Sequence, residues 1–138
     1  MPLKNKVAIV TGSATGLGAA VALRLADQGC NVVINYTKSE AEAKETLAAC
    51  EAKGVEAVLG QGDVGEDADC RRIVQTAVDK WGRVDVLVNN AGGTKFADHA
   101  KLDELNAEDF LWIYKVNVVG AYQMIRACEP HMKKAGKG

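Results

Sequence analysis

An apolar run, Val7-Ala8-Ile9-Val10, breaks directly into Thr11-Gly12-Ser13-Ala14-Thr15-Gly16-Leu17-Gly18, and that stretch opens Ala19-Ala20-Val21-Ala22-Leu23-Arg24-Leu25-Ala26. The run reads as a buried strand and the alanine- and leucine-rich segment as a helix. A strand that turns through glycines straight into a helix is a ready anion site. The glycines let the main chain approach a diphosphate closely, and unpaired N–H groups at the helix start point toward it. The helix dipole adds partial positive charge there. The spacing is G-x-x-x-G-x-G. That is neither G-x-G-x-x-G nor a phosphate loop, which ends in Gly-Lys-Ser/Thr.

Strand and helix signals then alternate with short links, which predicts βαβ units and a parallel sheet. Gly29 ends the first helix and Asn31–Asn35 reads as a second strand. Ser39 and Glu42 have the spacing of a capping box, opening a helix with Ala43, Leu47 and Cys50 on one face that stops near Gly54. Val55–Leu59 is the third strand, and Gly62-Asp63-Val64-Gly65 a loop. Ile73, Val74, Ala77, Val78 and Trp81 form the apolar stripe of a helix that Gly82 closes. Val84–Val88 is the fourth strand, followed by Asn89-Asn90-Ala91-Gly92-Gly93. After a polar stretch, Asn106 and Asp109 cap a long helix, with Leu105 placed to staple onto Phe110. That helix is expected to run through Trp112, Ile113, Val116, Val119, Tyr122, Ile125 and Met132, with Gly120 a weak point and Pro130 a bend.

Right-handed crossovers put four such strands in the order 3-2-1-4. The fold class is therefore α/β, a Rossmann-type doubly wound parallel sheet. A ligand belongs over the carboxyl ends of strands one and four, where the chain reverses direction across the sheet.

A length of 138 residues fits one domain with a real core. The formal net charge is −1 with no basic block, which argues against nucleic acid or an anionic membrane as partner. The apolar runs are too short to span a bilayer. Residues 1–6 lack the apolar stretch of a signal peptide, so the expected location is the cytoplasm. Cys30, Cys50, Cys70 and Cys128 make no C-x-x-C pair, so no metal site is expected and the thiols read as free in a reducing compartment. His99 and His131 have no partner nearby in sequence; His131 reads as a surface residue near a helix C-terminus.

Four motifs in order resemble the N-terminal part of the short-chain dehydrogenase/reductase family, with the nearest likeness to its ketoacyl-carrier-protein reductase and sugar or polyol dehydrogenase branches. They are Thr11-Gly12-x-x-x-Gly16-x-Gly18, Asp63-Val64, Asn89-Asn90-Ala91-Gly92 and Asn117 within Val116-Asn117-Val118-Val119-Gly120, and they span essentially the whole chain. The resemblance implies a nicotinamide dinucleotide, with Gly12, Ser13, Thr15, Gly16, Leu17 and Gly18 at its diphosphate. It implies Asp63 and Val64 beside the adenine, and Asn90-Ala91-Gly92 passing under the ribose while Asn89 ties adjacent strands. It also implies that Asn117 is catalytic, in a helix disturbed at that residue, its main-chain carbonyl holding a proton-passing water.

An acid at the end of strand two would bind the adenosine ribose of NAD and repel the extra phosphate of NADP. Here the position falls near Tyr36, followed by Thr37, Lys38 and Ser39, with no acid before Glu40. Lys38 and the hydroxyls suit a phosphate. The coenzyme expected is NADP, with NAD possible, and the substrate a small carbonyl or alcohol.

The family's chemistry also needs a serine on strand five and a Tyr-x-x-x-Lys on the next helix. Neither Tyr114 nor Tyr122 has Lys four residues on, so these groups are expected after Gly138, and the domain of 1–138 is expected to be incomplete. By itself such a chain should be inactive and expose a strand edge. A homodimer or homotetramer is expected of the full-length protein, built in part on the Asn117 helix. The alternative is a dinucleotide-binding or association module without catalysis. A methyltransferase is less suited, since it wants an acid where Tyr36 stands.

Overall fold

The computed structural model describes residues 2–138. Four strands, β1 (Val7–Val10), β2 (Asn31–Tyr36), β3 (Ala57–Gln61) and β4 (Val86–Val88), form one parallel sheet in the order β3-β2-β1-β4. Helices α1 (Gly16–Asp27), α2 (Glu40–Glu51) and α3 (Asp67–Trp81) make the crossovers. The chain then passes a 3-10 turn, Leu102–Glu104, into α4 (Ala107–Tyr114), a π-helical segment, Lys115–Val119, and α5 (Gly120–Ala135).

Both faces of the sheet are covered, as a parallel sheet requires, and strand alternation sorts the side chains between them. Val7, Ile9 and Val33 join α3 and α5 residues, including Ile73, Val74, Met124 and Cys128. Val10, Val32, Ile34 and Tyr36 face the other way, onto Ala22 and Ala26 of α1 and Ala43 and Cys50 of α2. Small residues on α1 and α2 let those helices lie close to the strands. All four cysteines are buried and unpaired.

Several element ends differ from the sequence expectation. Strand β3 starts at Ala57 rather than Val55, and β4 at Val86 rather than Val84. At the start of β4 the Asp85 carboxylate turns inward, accepting from the Val7 N–H at 2.9 Å and pairing with Arg83. The Ser39–Glu42 capping box does not form. Ser39 has φ −82° and ψ 58° instead of the extended backbone that aims a cap hydroxyl at the first turn, and it makes no cap bond. Asn106 is extended, and its box with Asp109 is complete. Phe110, the expected partner of a Leu105 staple, is exposed.

The π-helical segment shifts the helix face. Val116, Gln123, Met124 and Cys128 are buried, whereas Tyr122 and Ile125 are exposed. Gly120 is also a packing contact: a Cβ there would lie 2.8 Å from Val64 Cγ2. Helix α5 continues through Pro130. Exposed Phe110, Tyr114, Val118, Tyr122 and Ile125 recur every three or four residues down one side of α4 and α5.

Candidate functional site

The turns after all four strands meet at the carboxyl end of the sheet, and two asparagines lace them together. Asn35, the one polar residue within Val32-Val33-Ile34-Asn35-Tyr36, is buried. Its side-chain oxygen accepts from the Gly12 N–H at 2.9 Å, and its amide donates to the carbonyls of Gly60 (2.8 Å) and Gly62 (3.2 Å). Asn90 does the same between β1 and β4, its amide donating to the carbonyls of Thr11 and Gly12, each at 3.1 Å. The Thr11 hydroxyl accepts from the N–H groups of Asn90 and Ala91. It is thus Asn90, rather than Asn89, that ties the strands; the Asn89 amide reaches only the Ala121 carbonyl, at 3.4 Å.

The glycine turn is built for close approach. Gly12 and Gly16 hold φ of +61° and +59°, a region that disfavours side chains. At Gly18 a Cβ would sit 2.3 Å from the Gly12 carbonyl oxygen and 2.5 Å from the Asn90 amide nitrogen. Thr15, at the N-cap of α1, makes no side-chain cap bond, and the first turn carries no acid. The helix start is therefore left open to an anion. Thr46 of α2 steadies the turn from below, donating to the Ala14 carbonyl at 2.8 Å.

Above these turns lies a cleft of about 630 Å³. Ten of the residues expected at a coenzyme line it: Gly12, Thr15, Tyr36, Thr37, Lys38, Asp63, Val64, Asn90, Ala91 and Gly92. Gly18 lies beneath the turn and Gly16 at its exposed rim. Ser13 is turned inward: fully buried, its hydroxyl donates to the Val10 carbonyl and accepts from the Asn35 N–H. Leu17 points outward, 74% exposed, over a separate shallow hollow with Val21 and Arg24. Trp112 and Val116 line the cleft as well. The sequence pattern alone places these two only within a helix, and Asn35 only within a strand. The signal for Asn35 was present, since an amide inside a buried strand is costly unless paired.

Asp63 opens the loop over α3. Its N–H donates to the Asp69 carboxylate, and one of its own oxygens accepts from the Gly65 N–H at 2.8 Å. That Asp63 N–H holds the Asp69 carboxyl below its usual range, with help from Arg72 and against the opposing effect of burial. Lys115 to Glu66 and Arg126 to Asp67, each at 2.7 Å, fasten the start of α3 to the long helix.

Asn117 lies in the π-helical segment, outside the cleft lining. Its amide donates to the carbonyls of Gly93 (2.7 Å) and Ile113 (2.8 Å). A Cβ on Gly92 would lie 2.7 Å from its side-chain oxygen. Among the described residues no three His, Cys, Asp or Glu side chains gather as metal ligands, and no helix is long and apolar enough to cross a membrane. His99 is exposed on the loop after β4 and touches none of these groups.

A family model described as short chain dehydrogenase matches residues 6–138. The protein named as ketoacyl reductase 2 of the granaticin polyketide synthase, from Streptomyces violaceoruber, is 44% identical over 132 residues, 96% of this chain and 51% of that protein. L-rhamnose 1-dehydrogenase (NAD(P)(+)) of a Sphingomonas species is 39% identical over 136 residues, 99% of this chain and 52% of that one. Among solved structures, a short chain dehydrogenase from Burkholderia cenocepacia in complex with NADP superposes with a TM-score of 0.87 at 36% identity. That likeness covers 94% of this chain and 51% of the other. The chain spans about half the length of the curated relatives it matches.

Proposed function

The chain belongs to the short chain dehydrogenase family, and from that premise we propose that its cleft binds NADP(H) for an oxidoreductase acting on a small carbonyl or alcohol. The coenzyme, when bound, supplies or accepts the hydride. The observation that carries the reading is the uncapped start of α1 beneath Gly12 and Gly18, where a Cβ at position 18 would meet the Gly12 oxygen at 2.3 Å. The main-chain N–H groups left free at the start of α1 hold the diphosphate, those of Gly12 and Ser13 being taken by Asn35. Asn90-Ala91-Gly92 form the floor under the ribose, and Asp63 and Val64 flank the adenine. Thr37 and Lys38, exposed at the end of β2 with no acid beside them, hold the ribose phosphate that distinguishes NADP. NAD remains a weaker ligand of the same cleft.

Asn117 takes the catalytic part. As the family resemblance implies, its main-chain carbonyl holds the proton-passing water, within a π-helical turn, while its side-chain NH2 fixes the residue by donating to Gly93 and Ile113. The exposed apolar stripe of α4 and α5 supports a homodimer or homotetramer of the whole protein. The buried free thiols suit a reducing compartment, the cytoplasm.

Titrating the intact protein with NADPH and NADH, followed by reduced-nicotinamide fluorescence, tests the reading. Saturable binding with NADPH favoured is the expected result. Absence of binding by either coenzyme overturns it, and tighter NADH binding overturns the NADP assignment.

A further inference from the structure

Resting on that dinucleotide reading, we infer that Trp112 forms an aromatic wall for the adenine ring and is a determinant of coenzyme affinity outside the turn motifs. Trp112 stands on α4 and is 46% exposed, yet it lines the cleft together with Val116, Asp63 and Val64. Residues four apart share a helix face. Trp112 and Val116 therefore present one apolar surface to the cleft, buried at Val116 and open at Trp112.

The ring is seated. Its six-membered part rests on Gly93, where a Cβ would lie 2.6 Å from Cη2. The carbonyl of the same Gly93 is gripped by the Asn117 amide at 2.7 Å. The loop leaving β4 is thus held at Gly93 by Asn117 and covered there by Trp112, so the indole borders the cleft from a fixed support. Among the described residues its N–H has no partner, unlike that of Trp81, which reaches Glu56. Also on the cleft lining, one oxygen of Asp63 is taken by the Gly65 N–H, and among the described residues no hydrogen bond reaches the other. A planar group with an amino edge at Asp63 pairs with that oxygen and lays its face on the indole, whose N–H stays at the exposed edge. A purine is such a group, and aromatic stacking supplies affinity without needing further hydrogen bonds.

The test uses adenosine 2′,5′-bisphosphate, which carries the purine and ribose phosphate without nicotinamide. The intact protein is titrated while tryptophan emission and calorimetric heat are recorded. The expected result is saturable quenching in the parent that disappears in Trp112→Phe, although that variant still binds within about two-fold of the parent. Trp112→Ala binds about five- to twenty-fold more weakly, the loss of a single stacked base. Binding with the same quenching in the parent and Trp112→Phe, or unchanged affinity in Trp112→Ala, overturns the inference and leaves the dinucleotide reading standing. If neither the bisphosphate nor NADPH binds the parent, both fall. Should Trp112→Ala not fold, the emission comparison with Trp112→Phe still decides.

Discussion

The side-chain oxygen of Asn35 takes the Gly12 N–H at 2.9 Å, so the second strand holds the first glycine of the turn in place. The same amide satisfies the carbonyls of Gly60 and Gly62, which makes Asn35 the tie among three strand ends. Asn35→Leu leaves the Gly12 N–H and the Gly60 carbonyl without the amide, while the Gly62 carbonyl keeps the Thr37 hydroxyl, and at about 1 kcal/mol or more for each should destabilise the fold by about 2 kcal/mol. Urea denaturation measures it; a loss under about 1 kcal/mol would mean that water replaces the amide.

Gly18 and Gly16 should respond differently to the same change. Gly18→Ala places a methyl 2.3 Å from the Gly12 oxygen, a contact that only movement of the turn can relieve. Coenzyme binding should drop by about a hundred-fold or more, the scale of losing over two charge-assisted bonds. Gly16→Ala meets nothing within 4 Å but keeps φ +59°, so its cost is about 1 to 2 kcal/mol of stability. Equal effects on binding would show that the turn is not the diphosphate cradle.

Lys38→Ala should weaken NADPH by about ten-fold, the lower end for a charge-assisted contact at an exposed site, and leave NADH within about two-fold. The NADPH preference should also shrink with added salt in the parent and less so in the variant. Fluorescence titration at two ionic strengths reads both.

Acid should release one internal anchor. Burial pushes the Asp85 carboxyl up, but the bidentate Arg83 and the Val7 N–H outweigh it and hold it below the usual carboxylate range. A depressed folded pKa means stability that is present above the unfolded value, near 3.9, and lost as pH falls through the lower folded one. Asp85→Ala should therefore cost about 2 kcal/mol at pH 7, and its difference from the parent should shrink below about pH 4. A difference independent of pH would assign the loss to packing alone.

At Gly120 two effects oppose each other. Alanine gains about 1 kcal/mol in helix propensity. Its Cβ would lie 2.8 Å from Val64 Cγ2 and 3.0 Å from the Val64 oxygen, which already accepts from Gln123 and Cys70, and overpacking of that kind costs about 1 to 3 kcal/mol. The clash should win, lowering stability by about 1 kcal/mol and, because Val64 lines the cleft, weakening coenzyme binding too. Chemical denaturation and NADPH titration on one protein preparation check the pair.

Local pattern was enough for the strand–turn–helix at Val7–Asp27, the Asn106–Asp109 box, the αL glycine at Gly82 and the strand order. Each depends on residues a few positions apart, or on handedness that every parallel crossover obeys. The places that needed the folded chain all join distant segments. Which of two adjacent asparagines faces the first strand depends on the pleat of β4 against β1, and Asn90 holds that place. Ser13, one of the turn residues, faces Asn35 instead of the cleft because β2 passes beneath it. The π-helical turn at Asn117 has no periodic signature; there the amide reaches Gly93, twenty-four residues back. Sequence determined the elements and their order, since those follow from hydrophobic period and turn chemistry. Tertiary structure decided which polar groups face one another across the strand ends, because only contact between remote segments leaves a buried donor or acceptor no alternative partner.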